Sequence, residues 1–271
     1  MSATTVEPIP ATRTTRPARP TPARIPMSRL VSVELRKSFD TRSGFWLLAS
    51  IGILAVLATG AVILFAPDSA IDYETFATAF GFPMAIVLPM IAILSITSEW
   101  SQRTGLTSFT LVPHRGRVIG AKAIVALTVG VVSMLVAAAI GAAGNVIGAA
   151  ITGNDTVWNV SVADLALIIV ANILGMAVGF MLGVLIRNSP GAIVGYFVFS
   201  LVLPTVTTVL AETQEWFADK QPWLDFNYAQ GALFEGGVTG EQWAQLAVTG
   251  LFWLVIPLSI GIGAVLRSEV K

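Results

Sequence analysis

One stretch of this 271-residue chain gathers side chains suited to engaging a partner: Glu99, Arg103, Leu106, Phe109, Leu111, Pro113, Arg115 and Arg117. Glu99 and Arg103 have the i,i+4 spacing of an ion pair near a helix end, and Gly105 can close that helix. Leu106, Phe109, Leu111 and Val112 then form a short apolar ridge that Pro113 ends. Arg115, Arg117 and Lys122 suit a return held at the phosphate layer of a membrane. Such a ridge either inserts into a partner's groove or packs on the chain's own helix ends. Its chemistry is docking, and signs of catalysis are missing. There is no cysteine, hence no disulfide, thiolate or cysteine-ligated metal. The single His114 cannot build a histidine-rich metal site. No phosphate loop occurs; the nearest approach, residues 116–122, has the wrong spacing, and H-E-x-x-H and G-x-S-x-G are absent. The expectation is a chain that is not an enzyme and has no metal, no cofactor and no nucleic-acid partner.

The elements that position this stretch are six uncharged runs, 45–65, 76–97, 123–151, 165–186, 191–210 and 246–266. Each is about the 20 residues a helix needs to cross a bilayer. Charges sort by sign between them. Fifteen of the sixteen Lys and Arg residues fall in the N-terminal stretch, the second and fourth connections and the tail, whereas the other connections carry eleven of the sixteen acids and only Lys220. Positive loops stay cytoplasmic. The predicted fold is therefore all-α, a polytopic membrane protein of six transmembrane helices with both termini cytoplasmic. Six of the seven tryptophans fall near segment ends, where an aromatic belt belongs.

Residues 1–27, rich in Pro, Thr and Arg, read as a disordered cytoplasmic tail. Residues 28–271 then form the transmembrane domain. It opens with an amphipathic interface helix over 28–42, whose apolar face is Leu30, Val31, Leu35 and Phe39, with Glu34, Arg36 and Lys37 among its polar residues. Pro83 and Pro89 should bend the second span, and the third is long enough to tilt or protrude. Ser161 with Asp164, and Thr239 with Gln242, match capping boxes, and Asn188-Ser189-Pro190 a tight turn opening the fifth span. Gly175, Gly179 and Gly183 lie four apart on one helix face and admit a close neighbour, from the same bundle or a second subunit. Asn145 and Asn172, the most polar residues within spans, suit interhelical hydrogen bonds or a substrate. The aromatic-rich fifth connection, 211–245, reads as short helices dipping into the outer headgroup layer or as a packed external cap. Spans without an ionisable group argue against a carrier coupled through a buried carboxylate.

At the second connection the chain resembles permease subunits of type-two, exporter-like ABC transporters. Glu99, Thr104, Gly105, Leu111, Pro113, Arg117 and Lys122 follow that family's order, with the usual Gly-Thr reversed as Thr104-Gly105. Glu34-Leu35-Arg36-Lys37, followed by Arg42 and Trp46, is similar to its interface helix. The resemblance covers about residues 28–271. It implies a permease in a prokaryotic cell membrane, dimeric with a second copy or homologue, in which ATP and Mg are bound by separate cytoplasmic ATPase subunits. It also implies that the 99–117 stretch and the interface helix receive the ATPase motion, and that substrate is exported along the dimer interface. The alternative is a membrane scaffold or assembly factor docking a different cytoplasmic protein.

Overall fold

A computed structural model describes residues 25–101 and 115–267, without the side chains of Ser43, Glu99, Ser101 and Arg115. Every regular element among them is helical. The N-terminal helix α1 (Met27–Asp40) is followed by α2 (Arg42–Phe65), α3 (Tyr73–Ser101), α4 (Arg115–Thr152) and α5 (Val162–Ile186). A fifth long helix, α6 (Ser189–Thr213), leads into three short ones, α7 (Glu215–Ala218), α8 (Gln221–Leu224) and α9 (Phe226–Glu235). The last, α10 (Gly240–Arg267), completes a set of six helices long and apolar enough to cross a membrane: α2, α3, α4, α5, α6 and α10. The chain is thus an all-α polytopic membrane protein. Leu57, Phe82, Val194, Phe252 and Ile260 are exposed on the spans, which suits contact with acyl chains and no aqueous surface.

The bundle is centred on α3, α4 and α5, its most buried spans. Small residues make that possible. A Cβ on Gly179 would stand 2.7 Å from the Pro89 carbonyl oxygen, and one on Gly183 would meet Ile96. Gly141, Gly144 and Gly148 of α4 give the same room to Phe76, Phe80 and Thr59. Close approach between backbones supplies the van der Waals contact that holds helices together when lipid is as apolar as they are. The Gly179–Gly183 face is therefore filled from within the chain. Gly175 is looser, with Gln230 and Tyr196 each 3.6 Å from a Cβ placed there.

Local signals in the sequence behave as expected at both predicted capping boxes, Ser161–Asp164 and Thr239–Gln242, and at the Asn188 cap. The helix α3 runs unbroken through Pro83 and Pro89. Pro89 has no N–H for the Ala85 carbonyl, and the Tyr196 hydroxyl of α6 donates to that oxygen instead at 2.8 Å. The asparagines differ from expectation. Asn145 donates to Val157 O in the connection after α4, and Asn172 to Ile168 O of its own helix, so neither bonds across two spans through its donor. The third span extends towards the basic side as well, because Arg117 and Lys122 lie inside α4.

Two π turns were not visible as such in the sequence. In α6 the Leu203 N–H reaches five residues back to Val198 O, and in α10 the Ile256 N–H does the same to Leu251 O. Each π turn precedes a proline at the same offset, 198–202 before Pro204 and 251–255 before Pro257. A proline lacks the N–H for the carbonyl four residues earlier and its ring presses on that oxygen. Widening the preceding turn is one way a helix absorbs the misfit.

Candidate functional site: a clamped basic end and a re-entrant acidic end

At the basic end, α1 lies against α4 and α2 through Met27, Leu30, Val31, Glu34 and Ser38, all partly buried at helical spacing. Leu35 and Phe39, expected on the same apolar face, stay exposed. The docking face is centred on Glu34, and its partner is Lys122. Lys122 Nζ stands 2.6 Å from Glu34 Oε2 and donates to the Ser95 carbonyl of α3 at 3.1 Å. Lys37 holds the other carboxylate oxygen at 2.7 Å. Lys122 is only 4% exposed and Glu34 11%. The expected role of Lys122, holding a return at the phosphate layer, is thereby corrected: this ammonium is drawn inward because a carboxylate and a carbonyl near the C-terminal end of α3 both offer it negative charge.

Burial pushes the Glu34 carboxyl up, but the charges and hydrogen bonds of Lys122 and Lys37 outweigh it and hold the group below its ordinary value. A second tie, Thr97 Oγ1 to Ser189 Oγ at 2.7 Å, joins the end of α3 to the start of α6. Three elements, α1, α3 and α4, thus meet at one buried ammonium seven residues into α4. Of the predicted docking residues, Arg103, Leu106, Phe109, Leu111 and Pro113 lie outside the described residues, as do the side chains of Glu99 and Arg115. Arg117 is half-buried in the first turn of α4, and Arg36 is exposed on α1.

At the acidic end the fifth connection packs against α5, α6 and α10. Gln230 of α9 donates to Ala171 O at 2.7 Å, nine residues or about 14 Å inside α5. Trp253, thirteen residues into α10, donates its indole N–H to Leu224 O at 2.7 Å. The α8–α9 segment is re-entrant in the sense that it folds back between α5, α6 and α10. Both π turns receive it. Asn227 donates to Phe199 O at 3.1 Å, the carbonyl that Leu203 bypasses, and Phe199 packs on Trp253 with ring centroids 5.6 Å apart.

Asp225 fixes the tip. It is 3% exposed, accepts from the Asn227 and Tyr228 N–H groups as the cap of α9, and accepts from the Thr207 hydroxyl of α6. A carboxylate is thus buried against the bundle although the predicted spans are uncharged. Its hydrogen bonds all serve to cap α9 and tie it to α6. Among the described residues no group of three His, Cys, Asp or Glu side chains is placed to hold a metal ion. Searches of family models and of curated proteins found no match to the chain.

Proposed function

We propose that the chain is the membrane-spanning permease subunit of an ATP-driven transporter, powered by a separate cytoplasmic ATPase and working as a dimer. The observation that carries this reading is the Glu34–Lys122–Ser95 clamp, which locks the N-terminal helix to the two spans flanking the second connection. A push delivered at that connection then reaches α1, α3 and α4 together, and α6 through Thr97 and Ser189. Energy supplied from outside fits this reading, because Asp225, the one carboxylate in the buried class among the described residues, is occupied with structural hydrogen bonds. On this reading the basic end faces the cytoplasm of a prokaryotic cell and transport runs outward. A scaffold docking another cytoplasmic protein is the competing reading, and nothing specific in the geometry favours it.

Orientation is tested with single cysteines at Ser69, Thr156, Ser108 and Asp219 and an impermeant thiol reagent on intact cells. Labelling is expected at Ser69, Thr156 and Asp219 and not at Ser108. Labelling at Ser108, or protection at both Ser69 and Thr156, contradicts the topology.

Docking is tested by Leu111→Asp. A charge forced into a desolvated contact costs about 3–5 kcal/mol, a hundredfold or more in affinity. Co-purification of the ATPase should be lost while the thermal stability of the isolated subunit is kept. Lost stability with partner binding retained assigns the ridge to the chain's own packing and refutes the docking role.

A further inference from the structure

The re-entrant helix closes over a cavity of about 210 Å³ bounded by α3, α5, the π turn of α6 and α9 itself. Its polar wall is uncharged: Tyr196, Ser200, Asn227 and Gln230. Three of these are held rigidly by hydrogen bonds to main-chain carbonyls, Tyr196 to Ala85, Asn227 to Phe199 and Gln230 to Ala171. Tyr196 has its one proton committed and offers only lone pairs. Each amide keeps a carbonyl oxygen and one N–H. Ser200 adds a hydroxyl, which hydrogen-bonds to the Tyr196 side chain. The wall therefore both accepts and donates, which is the complement of a hydroxyl group.

No Lys, Arg, Asp or Glu lines the cavity, so nothing there would neutralise a phosphate or an ammonium. Depth points the same way. Ala85 lies twelve residues, about 18 Å, inside α3, where an unpaired charged headgroup is costly and a neutral one is not. Gly175 and Gly231 keep the wall open, and Val178 and Phe234 supply apolar flanks, Phe234 partly exposed. At about 210 Å³ the space is below the roughly 300 Å³ at which pockets begin to enclose a whole drug-sized ligand. It suits a headgroup whose chain remains in the bilayer.

We infer that this cavity binds the hydroxyl-bearing headgroup of a neutral lipid, of the monoacylglycerol or diacylglycerol kind, entering from the membrane between α6 and α9. The inference stands on the cavity and does not require the transport reading.

The test uses the full chain in phosphatidylcholine nanodiscs with a photoactivatable monoacylglycerol, cross-link sites being mapped by mass spectrometry. Labelling is expected within 196–200 or 227–234. Unlabelled monoolein should displace it, and methyl oleate, which has the chain without the diol, should compete about tenfold less well, the worth of one or two hydrogen bonds. Gly231→Leu should abolish labelling without lowering thermal stability, because nothing stands within 4 Å of a Cβ there and the added side chain fills the cavity. Gly175→Ala, whose methyl would meet its neighbours only at 3.6 Å, should weaken labelling and guards against a folding defect in the first variant. Equal competition by methyl oleate overturns the proposal, as does labelling unchanged in both glycine variants. Displacement by free glycerol at the same concentration as monoolein would assign the site to a soluble polyol and overturn the lipid assignment.

Discussion

Replacing Lys122 with Met should release the N-terminal helix from the bundle while the six spans stay inserted. The substitution leaves Glu34, 11% exposed, facing the bundle with only Lys37 for company. Removing one partner of a buried ion pair typically costs 3–5 kcal/mol, and about 3 kcal/mol is expected here because Lys37 remains. Hydrogen exchange over residues 27–40 should accelerate, with little change in α5. Glu34→Gln should also loosen α1 by removing the carboxylate that Lys122 holds, and the double variant should lose clearly less than the sum of the two, since the pair is then removed whole.

The pH dependence follows from the same pair. Glu34 is held below its ordinary value of 4.5 when folded, so the unfolded state binds its proton more readily. The contribution is complete above the ordinary value and fades as pH falls through the lowered folded value. Acid should therefore detach α1 in the native chain, and the double variant should show a weaker acid dependence. Additive damage, or an unchanged acid response, would show that the ammonium and carboxylate are not coupled.

The second large effect is expected at Asp225. Asp225→Ala removes the acceptor for two main-chain N–H groups and the Thr207 hydroxyl at a depth where water is scarce. At about 1–3 kcal/mol for each stranded group, a total loss of about 3–5 kcal/mol is reasonable. Asp225→Asn keeps an acceptor oxygen and should cost about 1 kcal/mol. Exchange protection over 215–235 should collapse in the alanine variant and largely survive in the asparagine one. If asparagine is as damaging as alanine, the charge itself matters, and the structural role assigned to Asp225 fails.

Much of this architecture was legible because membrane insertion writes itself into composition. Charge-free runs of span length, sorted basic residues and boundary tryptophans dictate six helices without any knowledge of packing. Capping boxes at Ser161 and Thr239 were equally visible, since their hydrogen bonds close within three residues. The clamp was not. Glu34 and Lys122 each stood out, but they are 88 residues apart, and no local pattern says that an ammonium near a membrane boundary turns inward. The apolar stripe of α1 divides for the same reason, with Leu30 and Val31 partly buried and Leu35 and Phe39 exposed. Leu35 and Phe39 suit a lipid surface, while the bundle selected the face bearing Glu34.

The re-entrant segment was hidden differently. Residues 211–245 are too polar and too interrupted to register as part of the bundle, and only their partners reveal the packing: Ala171, Phe199 and Trp253. Pro204 and Pro257 were the available signal. A proline inside a span frees a carbonyl that something must accommodate, and in both helices a π turn and the re-entrant segment lie there.

The central claim, a permease that depends on a separate ATPase, is tested most directly by affinity purification of the chain from its native membranes in mild detergent, followed by assays of nucleotide binding and hydrolysis. The account predicts a companion subunit carrying a phosphate loop, in roughly equal amount, with ATP hydrolysis by the complex and no nucleotide binding by the chain alone. Recovery of the folded chain without any nucleotide-hydrolysing subunit, or specific ATP binding by the isolated chain, would contradict it.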